Sequence, residues 1–177
     1  MRHRTVSRLA AVALVGLFAV ACDDSPTEPT GLPLAEVIGS YGLTSLTFDP
    51  QGSLPEANVR TTLGANNVRL ILAENRTAQV VYQDPVSGLF TTITASFQTT
   101  ETGVRISFNS GSPYRQLLLS RQMEFVLSNG TLTFGDESPD GVSRDRLIEL
   151  VPAFEGEQLL DPTPGTLRVT FTLETAA

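Results

Sequence analysis

From about Leu34 onward, the chain is a succession of short runs in which apolar and polar residues alternate. A period of two places apolar side chains on one face of a strand and polar side chains on the other. The alternation is unbroken over residues 167–174. Further apolar faces lie at Val68, Leu70 and Leu72, at Ala78, Val80 and Tyr82, at Leu89, Thr91, Ile93, Ala95 and Phe97, and at Val104, Ile106 and Phe108. The pattern therefore predicts half-buried strands along most of the chain.

The dipeptide Asn129-Gly130 is the strongest turn signal in the sequence. Both residue types tolerate a positive φ, which the two central residues of a type I′ hairpin turn require. Counting outward from this turn pairs Leu127 with Leu132. The next apolar pair is Phe125 with Phe134, which lies on the same face. The turn and the hydrophobic pattern agree on one register, so we predict a hairpin here.

Short turn-like segments separate the other runs, at residues 74–77, 84–88 and 100–103. Short connections join neighbouring strands of an antiparallel meander. Two segments are ambiguous: residues 144–151 fit a strand or a short helix capped by Ser143, and residues 113–120 fit a helical turn. We predict an all-β fold, an antiparallel meander of roughly eight to ten strands closed as a barrel, with a two-sheet β-sandwich as the alternative.

Residues 136–146 are predicted to form a longer polar loop. Oxygen-rich loops bind Ca²⁺, but the spacing of the acidic residues does not match that of an EF-hand loop. We interpret the segment as a solvated loop and predict no metal site. The acidic residues concerned are Asp136, Glu137, Asp140 and Asp145.

The first 21 residues have the organisation of a secretory signal peptide. Arg2, Arg4 and Arg8 form a basic start, and an apolar run follows over residues 9–21. As a helix this run spans about 20 Å, which is short of the roughly 30 Å hydrocarbon core of a bilayer. A basic region, a short apolar region and a small-residue end predict a signal peptide over residues 1–21.

The end of this segment, Ala19-Val20-Ala21-Cys22, resembles the lipobox of bacterial exported lipoproteins. The resemblance implies cleavage before Cys22 after its sulfur has received a diacylglyceryl group. Ordinary signal cleavage after Ala21 is the alternative. We expect Cys22 to be the lipid attachment site, and the protein to be anchored in the cell envelope, facing the periplasm or the exterior. Asp23 resembles an inner-membrane retention signal of enteric bacteria, and the choice of membrane stays open.

After the predicted cleavage point, the chain divides into two regions of different composition. Residues 22–33 are rich in proline and polar residues, which cannot build a core, and are predicted to be the lipidated cysteine and a flexible tether. Residues 34–177 are predicted to form a single antiparallel β domain.

The composition of the mature chain excludes several function classes. The only histidine, His3, leaves with the signal peptide, the only cysteine is Cys22, and lysine is absent. Catalysis by Ser-His-Asp, Cys-His or a lysine nucleophile is therefore excluded, as is a zinc site built on histidine or cysteine. Paired carboxylates for glycoside hydrolysis are not singled out by any spacing. We predict neither an enzyme nor a cofactor.

The charge of the chain limits its partners. Loss of three arginines with the signal peptide leaves nine against 19 acidic residues, a formal charge of about −10. A basic surface that could follow phosphates is not expected at this balance, so we predict no nucleic-acid partner.

The segment Gly39-Ser40-Tyr41 is similar to the Gly-x-Trp opening of lipocalins and related calycin barrels. In that family the aromatic residue closes one end of the barrel and an arginine of the last strand packs over it. The resemblance implies a lipocalin-like barrel in which Tyr41 has the first role and Arg168 the second, as a cation–π pair. The alternative is an ordinary strand tyrosine and a solvated arginine.

Two functions of different classes remain for a lipid-anchored envelope protein of this kind. A barrel of about eight strands has enough interior for side chains or one small ligand, so the protein is predicted to hold a small apolar ligand. The alternative is a structural or protein-interaction module with a filled core. A cavity above roughly 300 Å³ favours the first and a solid core favours the second.

Overall fold

The computed structural model describes residues 31–64 and 67–174, with the backbone alone for residues 137–140. The predicted signal peptide, Cys22 and most of the predicted tether lie outside the described residues. None of the helices in the described ranges is long and apolar enough to cross a membrane.

Nine strands form one antiparallel sheet in the described part of the chain. They are β1 (Gly39–Pro50), β2 (Ala57–Asn58), β3 (Val68–Leu72), β4 (Thr77–Gln83), β5 (Phe90–Thr99), β6 (Gly103–Phe108), β7 (Gln122–Ser128), β8 (Thr131–Val142) and β9 (Thr163–Leu173). The helices are α1 (Leu34–Val37), α2 (Arg60–Leu63) and α3 (Arg144–Leu150), with 3-10 turns at Pro113–Leu117 and Pro152–Phe154.

The sheet closes into a barrel because the first strand pairs with the last. β1 and β9 are in register from Tyr41 opposite Leu173 to Pro50 opposite Gly165. The first residues of β1 also pair with β3, and each later strand pairs with the next, so eight strands form the barrel while the short β2 lies beside the second half of β1. The predicted meander with a lipocalin-like barrel is confirmed, and the sandwich alternative is not adopted.

The inward face of the barrel is packed with large side chains. The Phe125 ring packs against two others, with centroid distances of 5.7 Å to Phe134 and 6.0 Å to Phe171. A side chain that borders a water-sized void has accessible area, and these side chains have almost none, so the interior around them is filled. The largest fully buried side chains include Tyr41, Tyr82, Phe48, Phe97, Phe125, Leu46, Leu70, Ile93, Ile106 and Met123.

The predicted Asn129-Gly130 hairpin is confirmed. Both residues have positive φ, 50° and 73°, and Leu127 lies opposite Leu132. The backbone ladder between β7 and β8 ends where Val126 lies opposite Thr133. Beyond that pair the Phe125 and Phe134 rings still share the core, but their backbones are not paired. β8 follows β9 instead, which leaves an open groove between β7 and β8.

The predicted polar loop at residues 136–146 is wrong in its first part. β8 continues to Val142, paired with β9 through an irregularity between Ser138 and Val142. Alternation weakens here, but the long neighbouring strand β9 supplies backbone partners that hold the segment extended. α3 then begins at Arg144, so the helix is the alternative that the structure adopts for residues 144–151. The 3-10 turn at Pro113–Leu117 matches the predicted helical turn.

The barrel has two ends with different contents. At one end, here called the tether end because the predicted tether leads into it, the backbone N–H of Leu32 donates to the Thr100 carbonyl in the β5–β6 turn at 2.8 Å. The domain therefore begins slightly before the predicted boundary at residue 34. At the opposite end, here called the far end, lie the β4–β5 loop, the β6–β7 loop and the β8–β9 connection, because alternate connections of a meander fall at the same end.

Candidate functional site

Arg146 connects three segments of the far end through hydrogen bonds. Arg146, on α3, donates from Nη2 to Asp84 at 2.6 Å, from Nη1 to Glu149 at 2.7 Å and from Nε to the Gln116 carbonyl at 2.7 Å. The side chains of Arg146 and Asp84 are only 12% and 14% exposed. These contacts join α3 to the β4–β5 loop and the β6–β7 loop. A second link is the hydrogen bond that the Tyr82 hydroxyl donates to the Gln116 side chain.

Asp84 also fixes the shape of the β4–β5 loop. Its Oδ1 accepts the backbone N–H of Val86 at 3.0 Å and that of Ser87 at 2.8 Å. Desolvation by burial alone would raise the pKa of Asp84, but hydrogen bonds from Ser87 and Arg146, with the positive charge of Arg146, hold that pKa below its ordinary value. The carboxylate is therefore stabilised in its charged form, and its hydrogen bonds hold the loop.

This anchored loop presents large apolar side chains to solvent. Val86 is 67% exposed, Leu89 is 68% exposed and Phe90 is 73% exposed. The alternating pattern places Leu89 on the same strand face as Ile93 and so predicts that it points into the core, and this prediction is wrong. β5 begins only at Phe90, and Leu89 belongs to the loop, where its carbonyl accepts the Asp84 N–H at 2.9 Å. We call residues 84–90 the far-end hairpin. A cluster of exposed large apolar residues marks an interaction surface.

A cleft of about 240 Å³ lies between the β6–β7 loop and the β8–β9 connection, the two segments that Arg146 joins. Tyr114 is buried on its wall, and the Arg115 guanidinium lies over the Tyr114 ring at 5.9 Å. Leu118 has a φ of 59°, which is rare for a branched side chain. The far-end cleft is lined by Tyr114, Arg115, Leu118, Leu119, Ser120, Arg121, Gly141, Val142, Ser143, Asp161 and Pro162.

The groove between β7 and β8 opens to solvent next to this cleft. It encloses about 800 Å³, and Phe134, Gln122 and Asp136 are among its lining residues. Arg121 and Ser120 line both the groove and the cleft, so the two depressions are neighbours. The far end of the barrel therefore carries two adjoining depressions.

The predicted barrel-closing pair is not formed. Tyr41 is buried at the tether end, where its hydroxyl donates to the Val37 carbonyl of α1 at 2.8 Å. Arg168 lies opposite Thr47, six residues farther along β1, and its guanidinium pairs with Glu56 at 2.6 Å on the outer surface. The predicted cation–π contact is therefore corrected: β9 continues past Arg168 to reach Tyr41 with Leu173.

The sequence did not single out Arg146, Asp84 or the far-end hairpin. The two members of the ion pair are 62 positions apart, and no local pattern links them. The Asp-Pro-x-Ser-Gly sequence at residues 84–88 indicates a turn, and an aspartate that accepts hydrogen bonds from following N–H groups was the available signal. Cys22, the predicted lipid attachment site, lies outside the described residues.

No protein-family model, curated protein or solved structure shows significant similarity to this chain.

Proposed function

We propose that this chain is a lipid-anchored protein of the cell envelope that works as a protein-interaction module, held at the membrane through Cys22 and binding its partner with the far-end hairpin. The sequence supplies the anchor: a signal peptide ends in a lipobox-like segment, and a short tether follows. The fold supports an outward orientation of the hairpin, because Leu32, at the end of the predicted tether, lies at one end of the barrel and the hairpin lies at the other.

The observation that carries the proposal is the exposure of three large apolar residues on a loop that hydrogen bonds hold in place. Val86, Leu89 and Phe90 all project from a hairpin that Asp84 and Arg146 hold in place. Exposure of such side chains in water is unfavourable by about 25 cal/mol per Å² of apolar surface. A loop that is preorganised loses little entropy when it binds, which favours a contact with another protein.

The packing of the barrel interior supports the module over the other predicted function. A small apolar ligand inside the barrel needs space beside the inward side chains. Tyr41, Tyr82 and Phe125 have almost no accessible surface, so no such space borders them. Binding of an apolar ligand in the interior remains a prediction from the sequence.

The charge of the chain specifies the partner's chemistry. Glu155 and Glu157 are exposed in the β8–β9 connection at the far end, and Glu149 is half-exposed on α3. The mature chain is strongly acidic overall. We therefore expect an envelope protein with an apolar pocket, to receive the hairpin, and a basic rim, since complementary charge accelerates and orients association.

Site-specific photocrosslinking in living cells tests the proposal. A photoreactive amino acid at Leu89 is expected to give one crosslinked species of defined mass, and Phe90→Asp is expected to remove it. Position 126 is the matched control, because Val126 is also exposed but lies on the barrel wall near the tether end. Equal crosslinking from both positions, or none from Leu89 in a folded protein, would refute the interaction function.

The anchor is tested separately. Metabolic labelling with a clickable fatty acid is expected to tag the wild-type chain and not the Cys22→Ser variant. If the wild-type chain is not tagged, the proposal of a lipid anchor is refuted, while the crosslinking experiment still tests the interaction function.

A further inference from the structure

We propose that the far-end cleft binds a small amphipathic anion, a molecule with an apolar body and one carboxylate or similar anionic group. This inference goes beyond the interaction function, because it concerns a small molecule and a different set of residues. It rests on the shape of the cleft, on its two arginines and on the strained backbone at Leu118.

One side of the cleft is apolar. Leu118, Leu119 and Val142 line it and are themselves almost fully buried, so they form a fixed wall. Pro162 and the ring of Tyr114 complete this side. The volume of about 240 Å³ is slightly below the range of roughly 300–1,000 Å³ that holds drug-sized ligands. The cleft therefore fits a body of a few carbon atoms or one aromatic ring.

The cleft lining also carries positive charge, in an otherwise acidic protein. Arg115 and Arg121 both line the cleft and are both exposed. Within the described ranges, neither has a carboxylate partner, whereas Arg69, Arg105, Arg144, Arg146 and Arg168 are all in ion pairs. Arginine binds carboxylates through paired N–H donors, so these two guanidinium groups suit the anionic end of a ligand.

Asp161 is the acidic residue on the cleft wall. Its Oδ1 accepts the backbone N–H of Arg144 at 3.2 Å, which occupies one carboxylate oxygen at the start of α3. The charged side chains of the lining are therefore two arginines and one aspartate, a positive balance. Hydroxyl groups of Ser120 and Ser143 lie on the same lining and supply further donors for an anion.

The backbone at Leu118 is held in a left-handed conformation, with φ 59° and ψ 11°. Backbone of this kind is strained for leucine, and it persists only where the surroundings impose it. Here it turns the chain directly after the 3-10 turn, and Leu118 and Leu119, which follow Arg115 and precede Arg121 in the chain, line the cleft. Strained positions of this kind are concentrated at ligand-binding sites.

The test is a titration of the full chain, in phosphatidylcholine nanodiscs with ¹³C-labelled leucine methyl groups, with hexanoate as the probe. Hexanamide and hexylamine are the matched neutral and cationic probes, and empty nanodiscs correct for partition into lipid. Hexanoate is expected to shift the Leu118 and Leu119 methyl signals and to bind at least tenfold more tightly than hexanamide, the effect of about one charge-assisted hydrogen bond. Added salt is expected to weaken it.

Two variants locate the anion. Arg121→Gln is expected to weaken hexanoate binding about tenfold, and Arg76→Gln, at an exposed arginine of the tether end, is expected to leave it unchanged. If the Arg121 variant fails to fold, the comparison of the three probes on the wild-type chain still shows whether the cleft prefers an anion. Tighter binding of hexylamine than of hexanoate would overturn the proposal, as would the absence of any Leu118 or Leu119 shift up to the solubility limit of hexanoate.

Discussion

Replacement of Arg146 by alanine is expected to destabilise the fold far more than replacement of its neighbour Arg144. Arg146 is almost buried and makes three hydrogen bonds, of which the one to Asp84 is an ion pair with an equally buried carboxylate. Arg144 pairs with Asp145, and both of those side chains are exposed. The two arginines lie on the same short helix, so they form a matched comparison.

The magnitude follows from the burial of each contact. Removing one partner of a buried ion pair leaves an uncompensated charge and costs about 3–5 kcal/mol. Because Asp84 keeps its loop hydrogen bonds and a little solvent contact, we expect about 3 kcal/mol for Arg146→Ala. The Glu149 contact adds little, since Glu149 is half-exposed. The exposed Arg144–Asp145 pair predicts a loss below about 1 kcal/mol.

The assay is urea and thermal unfolding of residues 23–177, the predicted mature chain without Cys22, followed by far-ultraviolet circular dichroism because the protein has no tryptophan. A loss of 3 kcal/mol corresponds to a fall of about 6–12 °C in Tm for a chain of this size. Arg146→Lys, which keeps the charge but not the three-way geometry, is expected to lie between the wild type and alanine. Equal losses for Arg146→Ala and Arg144→Ala would refute the reasoning.

Three further predictions concern the loop, the core and a close backbone approach. The pKa of Asp84 is lowered in the folded state, so its contribution to stability is full above its unfolded-state pKa and is lost as the pH falls through its folded-state pKa. In measurements of Tm against pH, the Tm of Asp84→Asn is therefore expected to fall less steeply in acid than that of the wild type. Phe125→Ala is expected to cost about 3–5 kcal/mol in the free energy of unfolding, whereas Val126→Ala, on the exposed face of the same strand, stays within about 0.5 kcal/mol. Gly103→Ala places a Cβ 2.0 Å from the Phe125 carbonyl oxygen and is expected to prevent folding or to cost several kcal/mol, while Gly111→Ala, with open space around its Cβ, is expected to be neutral; soluble yield and Tm distinguish the two.

The features that the sequence predicted well depend on neighbouring residues. The Asn129-Gly130 turn sets its own register, because two residues with positive φ fix how the flanking strands meet. The strand periodicity likewise needs only the pattern of a few consecutive side chains. These local rules were enough to predict the meander and most of the inward residues.

The features that the sequence did not reveal depend on distant pairing. The position of Arg168 relative to Tyr41 is set by the register of β9 on β1, which no turn controls because these strands are far apart in the chain. Leu89 has the right parity for the core, but Asp84 holds its loop away from the sheet. The cleft is formed by two long connections whose meeting depends on the closed barrel.

Because β1 pairs with β9, the barrel can close only after both strands have been synthesised. β1 is synthesised before the other strands of the barrel, and β9, which supplies most of its pairing partners, is synthesised after them. Until then the edges of the growing sheet stay unsealed, and unpaired edges bind other chains. Contacts this distant in sequence also form slowly. A chain of this design therefore needs protection from aggregation until β9 has been made, and a chain that lacked β9 would keep an open sheet.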